Sequence, residues 1–260
     1  MSLNPETTGD ALYACLRTRQ TMAPLTEGAA DVTIDDAYAI STRMLRLREA
    51  DGEKLVGKKI GVTGLVVQQM LDVHQPDFGY LTDAMWIEAG QPVPISTRLI
   101  QPRAEGEVAF VLSADMQGPG VTPADVLAAT RSVAPCFEIV DSRIDAWRIK
   151  IQDTVADNAS SGLFVIGQPV SPEGLDLSRI QMQVTKNGAP LSEGKGDASA
   201  LGSPEACVAW LANTLGAYGI PLRAGEVILS GSLVPLEPVV AGDTMRVEIS
   251  GLGALEVDFS

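Results

Sequence analysis

Ala104-Glu105-Gly106-Glu107-Val108-Ala109-Phe110-Val111-Leu112 is the stretch on which the fold turns. With its apolar run from Val108 to Leu112, it reads as a β-strand. The two-residue period of a strand puts Glu105 and Glu107 on one face, in line with Ala109 and Val111. Two carboxylates about 4 Å apart repel by roughly 4 kcal/mol at an effective dielectric near 20, so the pair implies a shared proton or a bound cation. A third acid, Glu138, lies inside Ala134-Pro135-Cys136-Phe137-Glu138-Ile139-Val140, a second predicted strand running from Val133 to Val140, where an unpaired charge is costly. Three such carboxylates without a cysteine or histidine partner form a hard oxygen set suited to Mg²⁺ or Mn²⁺ and not to zinc. The competing reading puts Glu105 and Glu107 on a solvent-facing edge and pairs Glu138 with Arg103 or Arg143.

Outward from these strands the pattern mixes helix and strand. Towards the N-terminus, Thr33 caps a helix with Asp36 three positions on and Ala37, Ile40, Met44 and Leu47 at helical spacing, ending at Asp51-Gly52. Leu55 to Val62 reads as a short strand punctuated by Gly57 and Gly61, followed by a brief helix from Val66 to Leu71 and a turn at Gln75-Pro76-Asp77-Phe78-Gly79. Towards the C-terminus, Thr122-Pro123-Ala124-Asp125 opens a helix, Asp141 to Ser161 is a polar stretch, and Leu163 to Ile166 is a strand. Ser203-Pro204-Glu205 starts another helix, carrying Val208, Leu211 and Leu215 and ending near Gly216 or Gly219. Strands at Glu226–Ser230 and Met245–Phe259 complete an α+β chain with an N-terminal helical cap over residues 1–54 and a β-rich catalytic unit over residues 55–260.

Composition narrows the function. With 260 residues and 45% hydrophobic content the chain can bury a real core, and a net charge of -14 without a basic block argues against nucleic acid. Cys15, Cys136 and Cys207 are too few and too far apart for a disulfide framework, which fits a reducing cytoplasm. Met1-Ser2-Leu3-Asn4-Pro5-Glu6 has neither a basic nor an apolar region and no apolar run approaches the length of a bilayer span, so neither secretion nor membrane insertion is expected. The lone histidine, His74, reads as structural, so acid/base work falls to carboxylates, lysines and water.

Strand alternation puts Lys59 on a face with Gly57 and Gly61, which leaves space beside its ammonium, while Lys58 shares the other face with Val56 and Ile60. Lys59 is therefore the better catalytic candidate, against the alternative of a surface lysine pair. Its use as a base requires a dry pocket or a nearby cation to lower its pKa. Asp77 by itself reads as turn chemistry, and the small polar residues from Asp153 to Gly162 form either a capped loop or a carboxylate-binding wall. Arg143, Arg148 and Lys150 either select a carboxylated substrate tail or balance local acids.

Taken together, Gly57-Lys58-Lys59-Ile60-Gly61-Val62-Thr63, Val73-His74-Gln75-Pro76-Asp77-Phe78-Gly79, Gln101-Pro102-Arg103-Ala104-Glu105-Gly106-Glu107, Glu138-Ile139-Val140-Asp141-Ser142-Arg143 and Asp153-Thr154-Val155-Ala156-Asp157-Asn158-Ala159-Ser160 resemble, in order and spacing, the 2-keto-4-pentenoate (2-hydroxypenta-2,4-dienoate) hydratases of the fumarylacetoacetate hydrolase-like superfamily. The chain departs from many of them in having Gly106 between the first two acids and Gly64 after Gly61-Val62-Thr63. The resemblance implies a mixed β-roll or barrel core, a divalent cation, Mg²⁺ or Mn²⁺, and a homo-oligomer acting on a small 2-hydroxydienoate in meta-cleavage degradation of aromatic compounds. It places the metal on Glu105, Glu107 and Glu138, acid/base chemistry on Lys59 and Asp77, and the substrate carboxylate near Ser160. It also implies rival activities: decarboxylation of a 2-oxo-3-enedioate, C–C hydrolysis of an acylpyruvate, or a non-catalytic subunit that associates with the pathway decarboxylase.

Overall fold

Backbone N–H groups at a helix start have no partner within the helix, and side chains next to the start supply one. Asn4 does so for α1 (Pro5–Thr18), and Thr33 and Asp36 cap α3 (Ile34–Ala50) reciprocally, with the short α2 (Leu25–Gly28) between them. The computed structural model describes residues 3–29 and 31–260. After α3 come β1 (Leu55–Gly61), α4 (Leu65–Met70), β2 (Asp77–Thr82), β3 (Trp86–Ile87), α5 (Ile95–Arg98), β4 (Arg103–Leu112), α6 (Pro123–Ala128) and β5 (Thr130–Val140). The remainder is α7 (Ile151–Ala156), β6 (Leu163–Ile166), β7 (Gln181–Lys186), β8 (Ala189–Lys195), α8 (Pro204–Gly216), β9 (Val227–Leu229), β10 (Glu237–Pro238), β11 (Thr244–Ile249) and β12 (Gly253–Asp258).

The strands form two sheets. The larger is mixed, in the order β2-β1-β9-β4-β5-β6-β3, with β10 paired to the start of β4; the smaller runs β12-β11-β7-β8. The result is the α+β half-barrel that the resemblance implied. Because β4 lies between β9 and β5, its acids are not on a free edge, and the solvent-facing reading of Glu105 and Glu107 fails. One face of β4 packs against the smaller sheet. A Cβ on Gly106 would meet Met182 Sδ at 3.0 Å and Val247 Cγ2 at 3.2 Å, so the glycine lets the two sheets approach closely. Val108, Phe110 and Phe137 join the core between the sheets, and full burial of such side chains contributes about 1.5–3 kcal/mol each.

The opposite face of the larger sheet carries Glu105 and Glu107 at one end and an apolar cluster with Ala109, Ala134, Cys136, Phe164 and Leu229 at the other. The N-terminal helices cover another flank. Leu12, Ala37, Ile40 and Met44 share a core with Ile151 and Val155 of α7, and Tyr38 of α3 stacks on Phe78 of β2 with ring centroids 4.2 Å apart.

Two local expectations are corrected, and one hairpin is added. Asp77 opens strand β2, paired to β1 through Gly61, where the sequence reads as a turn. The polar stretch from Asp141 to Ser161 contains α7, started by the Asp153 carboxylate accepting the Lys150 N–H. Residues 181–195 form the β7–β8 hairpin, whose turn at Asn187-Gly188 takes positive φ at both positions (53° and 78°), a two-residue signal of the type favoured in tight hairpins.

Candidate active site

The register β4–β5 sets Glu105 opposite Glu138 and Glu107 opposite Cys136, so all three acids project from one face. One carboxylate oxygen from each of Glu105, Glu107 and Glu138 lies within 4.8 Å of the others. At an effective dielectric near 20, each like-charged pair at that spacing costs roughly 3–4 kcal/mol. Glu107 and Glu138 are fully buried. Glu107 Oε2 accepts the Gly231 N–H at 2.8 Å, while Glu107 Oε1 and Glu138 Oε1 have no donor among the described residues. Burial and mutual repulsion hold Glu107 well above the usual carboxylate range. Burial pushes Glu138 up to about 8 despite the opposing effect of Lys59, and it raises Glu105 as well. Unpartnered, mutually repelling hard oxygens are the donor set a divalent cation satisfies, so the residues present fit Mg²⁺ or Mn²⁺.

Lys59 and Asp77 meet the acids from β1 and β2. The Lys59 ammonium donates to the Ala159 carbonyl at 3.0 Å and lies 3.4 Å from Glu138 Oε2. Burial acts to lower its pKa, but Glu138, Asp77, Glu105 and Glu107 together hold it above the ordinary lysine value. Dry surroundings by themselves therefore do not lower it, because the four acids outweigh burial. Asp77 is 2% exposed, neither of its oxygens has a donor among the described residues, and burial raises its pKa. Gly61 makes this juxtaposition possible: a Cβ there would sit 2.2 Å from Asp77 Oδ1 and 3.3 Å from Lys59 Nζ. The surface-pair alternative for the lysines also fails, because Lys58 is buried against Glu226 at 2.7 Å.

Ser160 enters from a turn in which Asn158, Ala159 and Ser160 all take positive φ, between 50° and 56°. Three consecutive non-glycine residues in this region are strained and persist only where the surroundings impose them. The Asn158 side chain does so, accepting the Tyr80 N–H at 2.7 Å and donating to the Tyr80 carbonyl at 2.9 Å. Ser160 Oγ shares a hydrogen bond with Thr154 Oγ1 at 3.1 Å. Arg143 is buried beneath this turn and donates to Asp157, and Arg148 pairs with Glu27 at the surface. Both therefore balance local acids. His74 is exposed.

These groups open into one cavity of about 460 Å³ lined by Lys59, Asp77, Glu105, Thr154 and Ser160, and by apolar side chains from α4 and the loops around Trp147 and Leu236. The Ser230-Gly231-Ser232 turn behind Glu107 is the contributor that sequence reasoning missed, whereas Thr154 and Asn158 fall in the small polar run from Asp153 to Gly162 without individual roles. For that turn, the small residues that close the β9 strand were the available signal.

Residues 56–260 fit the fumarylacetoacetate (FAA) hydrolase C-terminal family model, and the chain belongs to that family. Within it, the chain is 61% identical to a 2-hydroxyhexa-2,4-dienoate hydratase of Comamonas testosteroni over 98% of this chain and 97% of that one. It is 64% identical to a 2-hydroxypent-2,4-dienoate hydratase of Pseudomonas putida over 82% of this chain and 96% of that one. Among solved structures, the 4-oxalocrotonate decarboxylase of Pseudomonas putida G7, complexed with magnesium and adipate, superposes with a TM-score of 0.95 at 33% identity, covering 100% of this chain and 99% of that one.

Proposed function

We propose that the protein is a metal-dependent hydratase that adds water to 2-hydroxypenta-2,4-dienoate or a C5-substituted homologue, giving a 4-hydroxy-2-oxo acid. The observation that carries this reading is the convergence of Glu105, Glu107 and Glu138 beside a cavity lined by Glu105, Lys59 and Asp77, together with relatives above 60% identity that are named dienoate hydratases.

Glu105, Glu107 and Glu138 hold Mg²⁺ or Mn²⁺. The bound ion supplies Lewis-acid stabilisation for negative charge developing on a 2-oxo acid. Ser160, oriented by Thr154, meets the substrate carboxylate. The reaction releases the 2-hydroxyl proton, delivers a proton to C5 and then adds hydroxide at C4 and a proton at C3, a net gain of one water. Lys59 carries protons to give and is aimed by the Ala159 carbonyl. Asp77, with both oxygens unpartnered, is the group able to take a proton from the attacking water.

Loss of dienoate absorbance in the presence of Mg²⁺ or Mn²⁺, abolished by a chelator and by Glu107→Ala, is the expected result. Full turnover by Glu107→Ala with chelator present eliminates the metal role. The structural likeness to a decarboxylase supports a second reading, in which a dicarboxylate loses CO₂; CO₂ release measured beside absorbance loss separates the two. Assembly into a homo-oligomer, association with the pathway decarboxylase and a cytoplasmic setting belong to the proposal through the family resemblance. Light scattering of the chain, alone and mixed with the decarboxylase, tests both assemblies. None of the described helices is long and apolar enough to cross a membrane, and the three cysteines are free.

A further inference from the structure

We propose that the outer part of this cavity is an apolar tail subsite, which selects dienoates carrying an uncharged alkyl chain at C5 longer than one methyl and turns away those carrying a carboxylate there. The inference rests on the hydratase reading of the inner part. The charged lining residues, Lys59, Asp77 and Glu105, come from β1, β2 and β4 and adjoin the fully buried Glu107 and Glu138. The α4 wall lies towards solvent, since its lining residues Leu65 and Val67 are 59% and 43% exposed. Together with Leu71, Trp147, Ile149 and Leu236 it gives the outer part of the cavity a largely apolar surface, with Thr63, Thr154, Ser160 and Ser232 as the uncharged polar groups of the lining.

Size and charge both bear on the occupant. A cavity of about 460 Å³ lies in the range that encloses drug-sized ligands, more than a five-carbon acid fills. Gly64 also lines it, and a Cβ there would meet nothing within 4 Å, so the opening is wider than the backbone requires. Lys59 is the single cation among the described lining residues, and it is already engaged by Ala159 and Glu138. Of the other cations in range by sequence, Arg143 and Arg148 are committed to Asp157 and Glu27, and Lys150 is exposed and is not among the residues that line the cavity. A second carboxylate would leave water for an apolar wall with no counter-charge, which is costly, whereas each buried methylene is favourable. The tail selected here extends beyond the single methyl in the name of the Comamonas relative.

The test is kcat/KM of the Mg²⁺-loaded enzyme on dienoates bearing hydrogen, methyl, n-propyl or carboxylate at C5. The expected gain is about fourfold for each methylene, and the carboxylate should fall at least about tenfold below the hydrogen parent. Gly64 has φ -86° and ψ 136°, a conformation open to any residue, so Gly64→Ile should fold and should reduce the propyl-to-hydrogen ratio. Val67→Arg, at a half-exposed position, should raise the carboxylate-to-propyl ratio. A flat series, a carboxylate turned over as well as propyl, or ratios unmoved by both variants overturns the tail subsite while hydration stands. Failure to hydrate any member overturns the hydratase reading instead.

Discussion

Glu107 and Asp77 are both buried carboxylates with unpartnered oxygens, yet their neighbours divide their roles. Glu107 is fixed by the Gly231 N–H and sits among two other acids, whereas Asp77 faces Lys59 across Gly61. Opposite signatures are therefore expected on neutralisation. Glu107→Gln should weaken Mg²⁺ binding by at least about tenfold, the scale of losing an ion-paired charge. Asp77→Asn should leave that affinity within a few-fold while cutting kcat by about 10²–10⁴, the contribution of a positioned acid or base. Titration calorimetry with Mg²⁺ and steady-state kinetics on the same two variants check the pair; equal loss of metal affinity in both removes the division of roles. The acids were legible because a two-residue period is readable along one strand. Asp77 was legible only through the family resemblance, because Pro76 and Gly79 signal a turn and its strand exists only through pairing with β1.

Between residue and fold lie two devices that hold the elements around the site. The first is the left-handed turn Asn158–Ser160, tied to β2 through Tyr80. Asn158→Ala strands a buried backbone N–H and carbonyl, at a cost of about 1–3 kcal/mol for each unsatisfied group. It also frees the Ala159 carbonyl from its position at Lys59, so kcat should fall more than KM rises; denaturant midpoints together with both kinetic constants test this. A turn of this kind is invisible in sequence, since its conformation is set by the strand it bonds. The helix preceding it was missed for a related reason: α7 spans six residues and its stability comes from packing on α3.

The second device is Glu53, which accepts from Arg48 at 2.7 Å and Arg17 at 2.8 Å and also from the Thr82 hydroxyl, joining α3, α1 and β2. Burial raises its pKa, but the ion pair with Arg48 and the three hydrogen bonds outweigh that and leave it below the ordinary value. A lowered folded pKa means a contribution fully present above the unfolded pKa of about 4.3 and lost as pH falls through the folded value. Glu53→Gln, which leaves Arg48 buried without a counter-charge, should cost about 3 kcal/mol near neutral pH. The gap in urea midpoint between wild type and variant should close as pH drops below about 4; a gap constant with pH would show the loss to be one of packing.

At the scale of the whole molecule, a chain of net charge -14 concentrates three acids, two of them fully buried, where two β-strands meet. The sequence pattern by itself reached only a β-rich unit with helices; the half-barrel followed from family resemblance, because sheet order depends on contacts between distant segments such as β1 with β9. That arrangement makes the ion part of the stability of the fold. A ligand bound by the native state alone adds about 2.7 kcal/mol at a hundredfold excess over its Kd, on the order of 5–10 °C in Tm for a chain of this size. Thermal scans should therefore show Mg²⁺ or Mn²⁺ raising Tm over a chelator at matched ionic strength, with NaCl supplying the screening control that so acidic a surface demands. Glu107→Gln removes one of the repelling charges, so its metal-free Tm should exceed that of wild type while its rise with Mg²⁺ shrinks. If the variant and wild type gained equally from Mg²⁺, the ion would be acting on the surface charge, and the acids would be storing repulsion with no ion to relieve it.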